Sequence, residues 1–465
     1  MSSLLSALQT ATASLRAVQT NVSVVSGNIA KANDPTRTRH VAQQPLDGNG
    51  QTATSYRRDA DEVLKGQVEA LTARESGAAT QAGYMRELGG LLRTSGGKPL
   101  LNSYASSFQA AWKTLEASPE SRTAKIELVR AADRFAGEIR RVSDGVETLG
   151  RSMQTDLKNS VAATNGLLKE IAALNERIGS GKDGDAALSA MDRRDQLIKE
   201  LNGYIGVRSM TRGDGRVALF TGSGMMLLDA TPVTLTTDGN SVRLSSGEAV
   251  DGHVKDGKIG ALMSMLRDGS TADPPKPADG EPTAEVIRKL RSQLDGLAQG
   301  FVGETRPGEP KSFRDAYDEA KPAKSGEAPA GFFQGKDRFT LAVKPSLLDE
   351  RESVKTSALS PVVRALNATG RQLDADGLKT SDSSYTGMVS AFTGSWATAA
   401  KAANDQQGQE KAALQLVDER YHAKTGVNLD EEIATLQQLQ TAYAASARIL
   451  QTVKAMHDTL ESLLK

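Results

Sequence analysis

Four histidines, His40, His253, His422 and His457, are the side chains best suited to proton transfer or metal ligation near neutral pH. They are scattered, and none has a second ligand at metal-binding spacing, so each reads as a surface or helix residue. The run GSGKDGD at 179–185 hints at a phosphate loop. It lacks the GxxxxGK[ST] spacing and follows a helical run instead of a strand, and it reads as a helix stop. Asp192 and Asp195 are candidates for an acid–base pair, but Arg193 and Arg194 flank them on a helical run where opposite charges pair. Asn21 with Ser23 and Asn367 with Thr369 fit the N-glycosylation pattern, which short sequences meet by chance, and the first lies on a helical segment. With no cysteine in the chain, disulfides and thiolate metal sites are excluded. No catalytic constellation emerges, and neither a cofactor nor a metal is expected.

What these residues sit on is more informative. At 465 residues the chain has room for two to four domains. Lys plus Arg (57) equals Asp plus Glu (57), so no net field draws in nucleic acid or an anionic membrane surface. Aromatic residues make up only 4%, which suits long helices with narrow interfaces. The opening MSSLLSALQTATASLRAVQT has no basic leader and no continuous apolar block, so no cleaved signal peptide is expected. No stretch is apolar for long enough to span a bilayer.

From Leu4 the apolar positions run Leu4, Leu8, Ala11, Leu15, Val18, Val22, Val25 and Ile29, in alternating steps of four and three. This is a heptad seam, and it predicts a helix ~40 Å long that stops at Asn33, Asp34 and Pro35. In residues 1–30 the only charged side chain is Arg16, although a charged fraction of 25% would place about seven there. The C-terminus repeats the design with Leu429, Ile433, Leu436, Gln440, Tyr443, Ala447 and Leu450, then Val453, Met456, Leu460 and Leu463. Between Ile433 and Val453 the one charge is Arg448. Asn428 followed three residues later by Glu431 has the form of a capping box, and Asp430, Glu431 and Glu432 suit the positive end of the helix dipole.

Two such segments can pair as a coiled coil, and their outer faces, lacking charge, still need cover. Packing against other subunits supplies it, so both ends read as assembly surfaces. The blander reading makes them ordinary core helices of a monomer. Against it stands the loss of charge on both faces at the chain ends, normally its most solvated parts.

Between the ends, residues 56–94 and 103–118 read as helices, the second with Tyr104, Phe108, Trp112 and Leu115 on one side. A heptad from Leu128 through Met153 and on to Ile171 predicts one helix over about 120–178, ~85 Å if unbroken, and a short helix follows at 192–201. Short β-type runs alternate with turns from Val207 to about 256. Helices are expected again around 258–268, 285–301 and 384–424, a strand at 339–343, and loops at 271–282 and 307–331.

The expected architecture is mainly α with a β-rich insert: an elongated multidomain chain with its N- and C-terminal helices paired. Residues 1–40 plus 428–465 would form the terminal assembly domain, 41–206 plus 258–427 a long-helix domain, and 207–257 a small β domain at the far end.

Four segments carry a resemblance. GVNLDEEIATLQQLQTAYAASARILQTVKAMHDTLESLL at the C-terminus and LQTATASLRAVQTNVSVVSGNIAKANDP at the start are similar to the ends of the flagellar axial family of rod, hook and hook-associated proteins and flagellin. MDRRDQLIKELNGYIGV and GFFQGKDRFTLAVKPSLL resemble internal segments of the hook-associated protein 1 family within it. The matched pieces cover roughly a quarter of the chain. After the first helix that family usually shows Gly then Tyr, where this chain has Thr36 and Arg37.

The resemblance implies a structural subunit, not an enzyme, exported unfolded by the flagellar type III apparatus with a chaperone on its C-terminal helix. It implies an extracellular place at the junction of hook and filament, with further copies of itself, hook protein and hook-associated protein 3 as partners. Another axial subunit such as hook protein is the alternative within the flagellum, and a polymerising phage tail or fibre protein the alternative outside it.

Overall fold

The computed structural model describes residues 2–34, 37–43, 55–93, 99–179, 184–268, 284–319 and 331–463. The chain opens with α1 (Ser2–Ala30), the antiparallel strands β1 (His40–Gln43) and β2 (Ser55–Arg58), α2 (Glu62–Leu92), α3 (Leu100–Ala117), α4 (Arg122–Gly179) and α5 (Gly184–Tyr204). Five short strands follow: β3 (Val207–Thr211), β4 (Val217–Thr221), β5 (Met226–Leu228), β6 (Leu235–Asp238) and β7 (Ser241–Leu244). Then come α6 (Gly257–Leu266), α7 (Val286–Val302), α8 (Phe313–Asp318), β8 (Phe333–Gln334), β9 (Ala342–Val343), α9 (Pro345–Leu348) and α10 (Leu359–Asn367). The hairpin β10 (Arg371–Ala375) and β11 (Leu378–Ser383), α11 (Tyr385–Thr425) and α12 (Leu429–Leu463) complete it. The fold is thus mainly α, with a three-stranded sheet β3-β4-β5 and several two-stranded ones.

Two compact units share the chain: Met1–Glu75, Ala162–Leu235 and Glu410–Lys465 form the first, Ser76–Val161 and Thr236–Gln409 the second. In the second, the heptad of α4 supplies Leu128, Ala132, Phe135, Ile139, Val142, Val146 and Met153, all fully buried. Around Phe108 of α3 gather Trp112, Phe135, Phe301 of α7, Phe313 of α8, Phe332 and Phe333, with Tyr317 of α8 against Trp112 and Phe332. Phe108 stacks on Phe135 with centroids 6.0 Å apart, and Trp112 meets Phe332 at 5.3 Å. A chain poor in aromatics concentrates them in this core.

In the first unit, α4 and α5 carry the three-stranded sheet. Asn175 donates to Val217 O (2.8 Å) and accepts from Val217 N (3.1 Å), doing for β4 what a neighbouring strand would do. Asn165 does the same for Leu235. Gly215, at φ 81°, makes the turn between β3 and β4 beneath Ile178 and Met191, where a Cβ would lie 3.2 and 3.3 Å from their methyl carbons.

Several expectations are corrected. Residues 55–58 are not the start of a helix: they pair with His40–Gln43, and α2 begins only after Asp61, whose Oδ1 caps the amides of Val63 (3.0 Å) and Leu64 (2.9 Å). The short helix expected at 192–201 is longer in both directions. The expected loop 307–331 contains α8, capped by Ser312 Oγ, with Phe313 and Tyr317 in the aromatic core. The strand expected at 339–343 is reduced to β9, because Asp337 Oδ1 holds the amides of Phe339 and Thr340 in a turn.

Strands β3–β5 fall in the compact unit made of Met1–Glu75, Ala162–Leu235 and Glu410–Lys465. Glu69 of α2 accepts from Ser209 Oγ (3.0 Å) and Asn202 of α5 caps Val207 N (2.9 Å), which ties the sheet into that unit. The expected loop at 271–282, most of the phosphate-like run at 179–185, and Thr36 lie outside the described residues.

Candidate assembly surface

Helices α1 and α12 pack together. Ser14 Oγ lies 3.3 Å from Ser446 Oγ, and Asn28 Nδ2 donates to Glu432 Oε2 at 3.2 Å. Fourteen residues forward on α1 correspond to fourteen back on α12, so the pair is antiparallel. On α1, Ala11, Val18 and Val25 are buried, Leu15, Val22 and Ile29 are half-buried, and Leu8 is 38% exposed. On α12 the face turned toward α1 is shifted from the stripe read in the sequence. Glu432 and Ser446 are buried, Leu436, Leu439, Ala447, Leu450 and Val453 half-buried. Leu429, Ile433, Tyr443, Ile449 and Met456 stay 40–54% exposed. The side chains of Leu4, His457 and Leu460 lie outside the described residues.

Each helix therefore covers one side of the other, while α12 leaves a flank of large apolar side chains in water and α1 leaves Leu8. Rows of such residues, with almost no charge among them, are the signature of a surface completed by another molecule. The start of α12 is well defined: Asn428 Oδ1 accepts from Asp430 N (3.1 Å) and its Nδ2 reaches Glu431 Oε1 (3.3 Å).

Below the pair lies a buried polar base that sequence reading missed. Asn28, fully buried, donates to His40 O (2.9 Å) as well as to Glu432, and accepts from His40 N (3.2 Å). Arg39 Nε donates to Glu432 Oε1 at 2.7 Å, and this hydrogen bond raises the arginine's pKa above its ordinary value. Arg39 N donates to Thr425 O (2.9 Å), joining the strand that leaves α1 to the end of α11.

His40 is buried, not a surface residue: its Nε2 donates to Asp192 Oδ2 at 2.9 Å. The same carboxylate accepts from Thr38 Oγ1 (2.6 Å) and Arg58 Nη1 (3.1 Å), and Arg37 Nη1 lies 3.7 Å away. Burial alone would raise the Asp192 pKa, but the hydrogen bonds from His40 and Thr38 and the Arg58 charge outweigh it and hold the carboxyl below its usual range. Asp192 thus pairs with residues over 130 positions away instead of its own helix neighbours. Arg37, standing where the resembled family usually has Tyr, is buried against Asp192 and donates to Ser189 Oγ (3.0 Å).

Among the described residues no group of three or more His, Cys, Asp or Glu could hold a metal, and no helix is long and apolar enough to cross a membrane. A cavity of 420 Å³ in the second unit is bordered by Arg371. That guanidinium is engaged by the carbonyls of Pro310, Lys311 and Ala365 and by the Tyr385 ring, so its role is structural.

The family model "Flagellar hook-associated protein FlgK helical domain" matches residues 85–305, and "Flagellar basal body rod FlgEFG protein C-terminal" matches residues 421–463. The chain is 24% identical over 544 residues to flagellar hook-associated protein 1 of Salmonella typhimurium, with 96% of this chain and 97% of that protein covered. The protein of the same name from Bacillus subtilis is 23% identical, with 97% and 96% covered. A solved structure, the flagellar hook junction protein FlgK of Burkholderia pseudomallei, overlaps 53% of this chain and 46% of its own at 17% identity and a TM-score of 0.40.

Proposed function

The chain belongs to the flagellar hook-associated protein 1 family, and from that premise we propose that it is a structural subunit, not an enzyme, at the junction of hook and filament, assembling through α1 and α12. The observation that carries this reading is the row of half-exposed apolar side chains on α12, joined by Leu8 of α1, in a chain that aligns with its relatives over nearly its whole length. Two helices alone cannot cover those flanks, whereas neighbouring subunits in a tube can.

The partners are further copies of the chain, hook protein on one side and hook-associated protein 3 on the other, with an export chaperone on α12 beforehand. The destination is the extracellular part of the flagellum. Charge-poor terminal helices with β-branched valines, weakly stable alone, suit passage through an export channel in unfolded form.

Limited proteolysis with mass spectrometry, on the monomer and on assembled material, tests the reading. Slow cleavage at exposed positions along the flanks of the folded α1–α12 pair in the monomer, and cleavage there at least tenfold slower after assembly, is the expected result. Equal protection in both states would assign the helices to a private core and overturn it.

A further inference from the structure

Two stretches of chain connect the terminal pair to the rest of the first unit: one leaving α1, of which residues 31–34 and 37–39 are described, and residues 426–428 entering α12. They are latched to each other by Arg39 N to Thr425 O and by Arg39 and Asn28 to Glu432. The outgoing stretch is held to α5 at one point above all. Asp192, 7% exposed, accepts from Thr38 and His40 on that stretch and from Arg58 on β2, with Arg37 beside it and also bound to Ser189. Arg58 bridges on to Asp195 at 2.9 Å, one turn along α5, so the anchor is set across two points of one helix.

We propose that Asp192 is the positioning residue for assembly: its carboxylate fixes the direction in which the α1–α12 pair leaves α5, and so presents the apolar flanks at the angle that neighbouring subunits require. The lever is long. The 35 residues of α12 span ~50 Å, so a swing of about 5° at the base moves the far end by about 4 Å. Knobs-into-holes packing does not tolerate a displacement of that size, since a binding surface must be held by rigid support beneath it. A buried carboxylate with several charged and polar donors suits the task. Its hydrogen bonds are directional, and a shift of the strand strands it in a dry site without partners.

This inference rests on the reading that the terminal helices are the assembly surface, so its first test is made on the monomer, where assembly plays no part. The chain has no cysteine, so Glu200→Cys on α5 and Gln451→Cys on α12 accept spin labels without background. Pulsed dipolar spectroscopy then reads the spread of directions as the width of one distance distribution. The expected result is a narrow distribution in the parent, at least doubled in width by Asp192→Asn, with helix content unchanged. Asn202→Ala, which removes the cap on β3 in the same unit, should leave the width unchanged.

In assembly, Asp192→Asn should raise the critical concentration at least tenfold, about 1.4 kcal/mol. A distribution that stays narrow in Asp192→Asn overturns the proposal, as does a broadened one with unaltered assembly; the second result leaves the terminal helices as the assembly surface. Should Asp192→Asn fail to fold, Thr38→Val removes a single bond to the same carboxylate, and an unchanged width in that variant is equally decisive against it.

Discussion

Replacing Leu8, Ile433 and Ile449 together by Gln separates an assembly surface from a private core. These side chains are 38%, 41% and 54% exposed in the chain on its own. Complete burial of a Leu or Ile is worth ~1.5–3 kcal/mol, so covering the remaining half of each contributes about 1 kcal/mol, and the three about 3 kcal/mol. A loss of that size raises the critical concentration for self-association by roughly 100-fold. Glutamine forms helix about as well as leucine, so the change removes apolar surface without weakening the helix. The monomer should then melt within about 1 kcal/mol of the parent. Light scattering against protein concentration, paired with denaturant melts, measures both quantities. If assembly is unaffected, the flanks are not the contact surface. If the monomer loses as much stability as assembly does, they are already covered in the monomer and the reasoning fails.

Burial pushes the Glu69 carboxyl up to about 7, with the Lys65 charge and the Ser209 hydroxyl opposing it. Because the folded value lies above the ordinary 4.5, folding favours the protonated form, and stability falls as pH rises from about 4.5 to about 7, by about 3 kcal/mol in all. Glu69→Gln should abolish that slope and be the more stable form at pH 8; parallel pH profiles in urea melts would count against it. Asn428→Ala should cost α12 about 1 kcal/mol through loss of its cap, seen as faster hydrogen exchange at Asp430 and Glu431, and unaltered exchange there would show that the cap does not hold the helix start. Phe108→Ala, in the middle of the aromatic core, should destabilise the second unit by about 3–5 kcal/mol; a calorimetric shift under 1 kcal/mol would mean that the ring is not packed as described.

Local signals for most of the helices were legible. The heptad of α4 is both a periodicity in the sequence and a buried row in the structure, because one helix 58 residues long needs nothing distant to define its apolar side. The cap at Asn428 and the strands from 207 to 244 were readable for the same reason. The hairpin β10–β11 was missed although its signal was present: Asp376 and Gly377, both at positive φ, form the kind of tight turn that an Asp-Gly pair marks. Strand β2 carried no such signal. Its four residues become a strand only by pairing with residues fifteen or so positions earlier.

The sequence by itself determined that the two ends are helical, poor in charge and apolar over a wide arc, since these are properties of side chains along one chain. It also excluded cysteine chemistry and offered no catalytic grouping. Which part of the α12 arc faces α1 was decided by the tertiary structure. Glu432 meets Asn28 and Arg39, Ser446 meets Ser14, and those polar contacts set the phase, turning Ile433 and Tyr443 outward. The same holds for Asp192, which in the sequence is one charge in the helical run Asp192–Arg193–Arg194–Asp195. It becomes an anchor because the fold brings Arg37, Thr38, His40 and Arg58 to it and removes water from all of them. Burial and distant pairing are properties of the folded chain, and periodicity along a sequence does not encode them.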